Sequence, residues 1–558
     1  MAFLDFVHSL MSRDFTMSAS PNSLLQVIAM GVTTHLYFRK FEPQNPIALI
    51  AILVSEPILY IVVQNPTTLN AFDVFYIYTA FLLSVGLSIV LYRLSPFHPL
   101  AGFPGPVMNK ITQFRSIWIQ WEGHQYLINK RLHEKYGAFV RVGPNELSVT
   151  DIDIALAILG PGGLPKGRFY EARHDPRAPG NVLVLRGQAH TDRRRIWSRA
   201  FTNESLEEYD EPLLKRVQYL IDRLAGAPAP TDLSLVISLF ALDFMSDMAF
   251  GGGFDMLRDD SDGLEVRSMF DKFGISLSLL CHAPWAVSTL VHLPALSKNI
   301  LKLRKFAVEW GTNRILRGAV TKDLWYHLYD EAGLEKEKPS TRQVIAEGSL
   351  AMVAGSDTTA TCLASLFYFL LCYPKCYQRL QAEIDEVFPP GSGVSNMLKH
   401  IANLPYLTAC INETLRLLPP VPTNGPRQVP YGSGRRIFGG RFIPEGTQVY
   451  TPPYSIHRDP RYFSPLTEEF VPERWLPGGI SEDQVHNLSA FIPFSHGPAN
   501  CVGRSLARKE MMAVASAILH KFDIHAADGF DSREWPEGLR DHFVTIRGPL
   551  LVNLASRF

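Results

Sequence analysis

One uncharged run, Val74–Tyr92, constrains this 558-residue chain more than any other segment. At about 19 residues it is long enough to cross a bilayer core of roughly 30 Å. Inside a bilayer such a segment has to be a helix, because lipid satisfies no backbone hydrogen bonds. Two weaker apolar runs come first: Leu24–Phe38, which contains His35, and Ile47–Val63, which carries Glu56. Each of these reads as a further span, with a core or interfacial helix as the alternative. Charge placement favours three spans. Arg39 and Lys40 separate the first two runs, Gln64–Asp73 has no Lys or Arg, and Arg93 follows the third run. The excess of positive charge on one side puts the N-terminus and the Gln64–Asp73 loop in the lumen and the rest of the chain in the cytosol. The third run alone gives the same result for the C-terminal body. A cleavable signal peptide is not expected, because the first run starts late and only Arg13 precedes it.

The segments Pro96-Phe97-His98-Pro99 and Phe103-Pro104-Gly105-Pro106 bar helix continuation and read as a stiff hinge. The expected organisation is therefore an anchor over residues 1–95 with up to three spans, a hinge over 96–106, and a catalytic body over 107–558. No repeat or domain-sized linker interrupts the body. Helical periodicity dominates it, with strand-like runs at Phe139–Val142, Leu147–Val149, Val449–Thr451 and Phe543–Ile546. The expected fold class is mainly α with minor β. Basic and acidic residues balance at 54 each, so no nucleic-acid partner is expected.

Six cysteines occur, at 281, 362, 372, 376, 410 and 501, with no CxxC pair and no zinc-like cluster. Five read as buried, reduced thiols. The sequons at Asn203, Asn412 and Asn487 read as chance matches, since the body is expected in the cytosol. Gly251-Gly252-Gly253 has neither Rossmann nor P-loop context.

The sixth cysteine ends a Gly- and Pro-rich loop, Phe494-Ser495-His496-Gly497-Pro498-Ala499-Asn500-Cys501-Val502-Gly503, and an apolar helical run follows. A helix start stabilises a thiolate through its free N–H groups and dipole. Taken alone, a structural cysteine would be the better reading. A second feature is Glu413-Thr414-Leu415-Arg416, on a helix expected from Pro405 to the Pro419-Pro420 stop, followed about 60 residues later by Pro472-Glu473-Arg474-Trp475. The third is Ala354-Gly355-Ser356-Asp357-Thr358-Thr359, inside a helix expected over Thr341–Cys372 and capped by Ser340 and Gln343. Gly, Ser and two Thr in mid-helix predict a kink or an opening there.

Together these residues resemble the cytochrome P450 family over roughly residues 100–558. The loop matches Phe-x-x-Gly-x-Arg-x-Cys-x-Gly at every fixed place but one, where Ala499 replaces Arg. The resemblance implies that Cys501 ligates the iron of heme b, with Phe494, Gly497 and Gly503 shaping the cofactor loop. It assigns Glu413, Arg416 and Arg474 to a structural triad, and Asp357 and Thr358 to proton delivery for dioxygen cleavage. His190, Arg194 and Arg427 become candidates for the haem propionates, with His190 standing where the family often has Trp. Of the basic residues around Arg194, the neighbours Arg193, Arg195 and Arg199 are expected to face solvent and, with Arg504, Arg508 and Lys509, to offer a patch for an acidic redox partner. The anchor and cysteine loop look most like fungal members.

The implied activity is NADPH-driven monooxygenation of an apolar small molecule through a separate cytochrome P450 reductase, with cytochrome b5 as an optional donor, at the endoplasmic reticulum membrane. The pocket walls are expected from residues 160–185, 235–300 and 420–426, and the substrate class from fungal terpenoid or aromatic secondary metabolism or xenobiotics. One alternative keeps the fold but not the oxidation: a haem-thiolate isomerase or dehydratase that needs no reductase. A membrane transporter or receptor would account for the apolar runs but not for the body.

Overall fold

The computed structural model describes residues 21–558 apart from 42–44, 65–70, 174–176, 253, 260–262, 285–286, 288–293, 319–320 and 482. Most of the Gln64–Asp73 loop, Arg13 and Gly253 therefore lie outside the described residues. The three apolar runs form helices α1 (Pro21–Phe41), α2 (Pro46–Gln64) and α3 (Ala71–Leu94). They pack as one bundle around Val27, Ile61 and Phe81. In α1 and α3 His35 meets Ser88 at 2.7 Å and Gly31 abuts Ser84, so these two helices run parallel. Against α2, Thr34 bonds Glu56 and Tyr60 bonds Gln26, so α2 runs antiparallel to both. A side chain at Gly31 would collide with Ser84, and such small residues let apolar helices approach closely. By length and composition α2 and α3 are apolar enough to cross a membrane. So are Leu233–Phe250 and Thr341–Cys372, but these two are buried in the body.

Helix α3 ends at Leu94, and the prolines continue the chain as tight turns. The hinge is packed rather than loose. Leu100 and Phe103 are buried against the first sheet, and the buried Arg141 donates to the carbonyls of Arg93 and Pro144.

The body is mostly helical. Strands β1 (Phe139–Gly143) and β2 (Glu146–Val149) form an antiparallel pair. Helices α4 (Ile152–Leu159), α5 (Arg168–Glu171) and α6 (Gly187–Arg199) follow. The centre is the crossing of α7 (Leu233–Phe250) with α8 (Thr341–Cys372). Glycine makes that crossing close: a Cβ at Gly355 would lie 2.6 Å from the Met245 thioether. Helix α9 (Pro405–Leu417) follows, then β3 (Arg427–Gln428) and β4 (Gln448–Tyr450), which complete the first sheet in the order β1-β2-β4-β3. Helix α10 (Arg504–Lys521) follows the cysteine loop. Near the C-terminus, β5 (Arg540–His542) and β6 (Val544–Ile546) form a hairpin whose tip is Phe543, at φ +79°.

Ser340 caps α8 as expected, accepting from the Gln343 amide. The Gln343 side chain does not close the box. It donates instead to the Gly180 carbonyl and to Glu347. Helix α8 runs unbroken through this segment. The hydroxyls of Ser356, Thr358 and Thr361 each donate to the carbonyl four residues back, so they satisfy themselves along the helix without opening it.

Candidate active site

A cavity of about 310 Å³ separates α8 from the cysteine loop. Ala351, Ala354, Gly355 and Thr358 line one side, and Phe494, Ala499, Cys501, Val502 and Gly503 the other. Tyr170, Val182, Leu183, Met245, Val421 and Phe543 add mostly apolar wall. The expected wall segments contribute, but Leu324, Leu350 and Phe543 lie outside them. Phe543 sits against Phe169 at 5.9 Å, and the Arg173 guanidinium covers its ring at 3.9 Å.

Left-handed Ser495 and Gly497 turn the loop, and the Cys501 amide donates to the Phe494 carbonyl at 2.9 Å. Gly497 does not line the cavity. A Cβ there would sit 2.2 Å from the Leu159 carbonyl oxygen, so its bareness serves packing against α4. Gly503 does face the cavity, and a Cβ there would meet nothing closer than 3.6 Å. Helix α10 begins only at Arg504, so the amide that reaches the Cys501 sulfur is that of Gly503, not one from the first helical turn. Cys501 is open to the cavity, yet the protein packed around it desolvates its thiol and pushes it up, while that amide, Arg194 and Arg504 oppose the rise.

Arg194, Lys166, His190 and Arg427 all line the cavity. Arg194 donates to both the carbonyl and the side-chain oxygen of Asn500. Arg427 is buried, and its Nε has no hydrogen-bond partner among the described residues. Burial, then Arg427, Arg186 and Arg194, lowers Lys166 to about 7. Burial, then Lys166, Arg194 and Arg427, lowers His190 to about 4. Arg194, Arg427 and Lys166 repel one another beside a neutral His190, and the orphaned Nε–H of Arg427 completes a site that calls for an anion. The carboxylates of haem fit that demand. The sequence reading passed over Lys166, whose one cue was a lone cation between Pro165 and Gly167 after an apolar run.

The other basic residues do not form the expected free patch. Arg193 pairs with the fully buried Glu347, Arg195 and Arg199 share Glu335, and Lys509 pairs with Asp210. Arg508 covers the Phe494 ring at 5.5 Å and donates to Asn412. Arg504 remains exposed. The acids that pair with these arginines come from distant sequence, which composition does not reveal.

Thr358 faces the cavity and Asp357 does not. Burial raises the Asp357 carboxyl, and the charge of Arg547 opposes that rise. Glu510, an acid the sequence reading also missed, lies buried in the cavity wall on α10, and burial holds it well above the usual carboxylate range.

Beneath the loop, Glu413 is fully buried. It accepts from Arg416 Nε and Nη2, both at 2.8 Å, from Arg474 Nε at 3.0 Å, and from Trp475 Nε1 at 2.9 Å. Burial raises its carboxyl, but Arg416 and Arg474 overcome this and hold it below its ordinary value. Arg416 also donates to the carbonyls of His457, Thr467 and Glu469. His457 in turn accepts from the Ile492 amide at 3.0 Å, tying this network to the start of the cysteine loop.

The sequence model of the family described as Cytochrome P450 matches residues 99–553. Cytochrome P450 67 of Uromyces fabae is 31% identical over 93% of this chain and 97% of its own. Cytochrome P450 monooxygenase FCK2 of Fusarium pseudograminearum is 32% identical over 95% and 96%. Tryprostatin B 6-hydroxylase of Aspergillus fumigatus is 32% identical over 85% and 83%. A cysteine loop faces a hydroxyl-bearing helix across an apolar cavity, within a family match over residues 99–553: the chain belongs to the cytochrome P450 family and is a haem-thiolate monooxygenase.

Proposed function

We propose that this protein hydroxylates or similarly oxidises an apolar small molecule of fungal secondary metabolism, or a xenobiotic, and that the Cys501 thiolate would hold its haem. The observation that carries this reading is the cavity itself, where Cys501 and Thr358 stand on opposite walls and the lining between them is largely apolar. The names of relatives, a tryprostatin B hydroxylase among them, support a hydroxylation. Bound haem supplies dioxygen activation, and its thiolate ligand favours O–O cleavage.

The chain's own residues do the rest. Thr358 holds a proton at Oγ1, currently given to the Ala354 carbonyl at 2.7 Å, and turning that hydroxyl frees it toward the cavity. Asp357 is the proton reserve behind it, kept from the cavity and favoured in its protonated form by burial. Lys166, His190, Arg194 and Arg427 receive the propionates. Glu413, Arg416 and Arg474 keep the loop in register. Helices α1–α3 anchor residues 1–95 in the endoplasmic reticulum membrane, the hinge over 96–106 seats the body on it, and residues 107–558 work in the cytosol. Electrons arrive from NADPH through a separate reductase, with cytochrome b5 as an optional donor.

The test is turnover under labelled dioxygen after co-expression with a reductase. The reading expects one labelled oxygen atom in the product and strict NADPH dependence. Product formed without NADPH and without label would instead indicate an isomerase or dehydratase.

A further inference from the structure

A second cavity, of about 560 Å³, lies between the N-terminal bundle and the body. Guanidiniums from three separate elements line it: Arg39 in the last turn of α1, Arg93 in the last turn of α3, and Arg168 at the start of α5. Aromatic faces orient two of them, with Arg39 at 4.1 Å over Tyr92 and Arg168 at 4.8 Å over Tyr431. Arg141, buried behind the hinge, adds a fourth positive charge. Among the described residues no ion pair reaches Arg39, Arg93 or Arg141.

Two carboxyl groups line the cavity, and protein donors hold both. Glu146 accepts from Gln113 at 3.0 Å and Gln448 at 3.3 Å, and burial pushes it up to about 7. Glu445 accepts from the amides of Gly432 and Gly434. His98, which bonds Arg141, is lowered to about 4 by burial first and then by Arg141, Arg93 and Arg39, so it is neutral at neutral pH and adds no charge. The opposite wall is apolar, from Phe38 and Leu49 to Ile89. Since α1 and α3 run parallel, their basic C-terminal turns meet at the same level, where apolar helix gives way to polar body.

We propose that this cavity binds the phosphate-bearing headgroup of an anionic membrane lipid, held by Arg39, Arg93 and Arg168 with its chains along the bundle. The apolar wall favours a lipid over free phosphate, and a phosphate met by several guanidiniums gains charge-assisted hydrogen bonds. The inference rests on reading α1–α3 as membrane helices.

The test titrates dioleoyl phosphatidic acid into the haem-loaded full-length protein in a neutral detergent and reads bound lipid by native mass spectrometry. Dioleoyl phosphatidylcholine and inorganic phosphate serve as comparators. Phosphatidic acid should bind about tenfold more tightly than phosphatidylcholine, and Arg39→Gln and Arg168→Gln should each weaken it about tenfold. Lys40→Gln, exposed at the same helix end but outside the cavity, should change it less than about twofold. Equal weakening by Lys40→Gln and Arg39→Gln would mean diffuse attraction and overturn the proposal. Displacement of the lipid by inorganic phosphate at equal concentration would overturn the lipid as occupant. Alkaline carbonate extraction tests the spans separately: release from membranes would sink the membrane reading and leave the detergent result to be judged by itself.

Discussion

Arg194 grips Asn500, the residue before Cys501, with both arms of its guanidinium: Nη1 meets the backbone carbonyl and Nη2 the side-chain oxygen at 2.7 Å. The contact ties α6 to the cysteine loop at the point where Ala499 provides no cation of its own. Arg194→Ala removes two charge-assisted hydrogen bonds, each worth about 1.5–3 kcal/mol where desolvated. Haem should dissociate from it faster than from wild type, and Arg194→Lys, with a point donor instead of a fork, should fall between. Ala499→Arg should partly restore retention in the Arg194→Ala background. Equal haem loss by wild type and Arg194→Ala, followed by transfer to apomyoglobin, would remove Arg194 from this role.

Glu413 neutralises two buried arginines, so changing it leaves charge stranded. Glu413→Gln keeps the shape and should cost about 3–5 kcal/mol, the usual penalty for breaking a buried pair from one side. Denaturant titration of the haem-loaded protein reads this directly. A loss below about 1 kcal/mol would show that Trp475 and the Val471 amide, which also donates to Glu413, carry the site without the charge.

Thr358 faces the cavity and Asp357 faces away, so their variants should differ. Thr358→Ala should keep haem content and substrate affinity while hydrogen peroxide rises at the expense of product per NADPH. Asp357→Asn should slow turnover more than it uncouples it, because the reserve proton is lost but the hydroxyl remains. The check is simultaneous measurement of NADPH, peroxide and product, and unchanged coupling in Thr358→Ala would exclude its hydroxyl.

His457 is fully buried between the Arg416 carbonyl and the Ile492 amide. Burial, then Arg416, lowers it to about 3. In the unfolded chain it takes a proton near pH 6.5, while the folded protein resists protonation down to about 3. Stability is therefore intact above pH 6.5 and falls as pH drops through that window, by up to about 5 kcal/mol from this group. Thermal unfolding of His457→Gln across pH 7 to 3 should show a shallower acid slope than wild type. An identical slope would assign the acid sensitivity elsewhere.

Long, locally encoded elements were legible in the sequence: α8 spans Thr341–Cys372 and α9 starts at Pro405, because caps and prolines write their own ends. The triad was also legible, since three residues on two segments match a pattern in order. What escaped depended on distant partners. Glu335, Glu347 and Asp210 turn an apparent basic face into closed ion pairs. Lys166 enters the cation cluster only because β3 brings Arg427 beside it. Gly497 is bare for the sake of α4, a contact across more than 300 residues that no local pattern announces.

The central claim is that Cys501 supplies the thiolate, and the most direct measurement is the carbon-monoxide difference spectrum of the reduced protein. Wild type should show the strongly red-shifted band of thiolate-ligated haem, and Cys501→Ala should lose it, while Cys281→Ala and Cys410→Ala, buried thiols outside the cavity lining, should keep it. Persistence of the thiolate band in Cys501→Ala would place the ligand elsewhere and contradict the account.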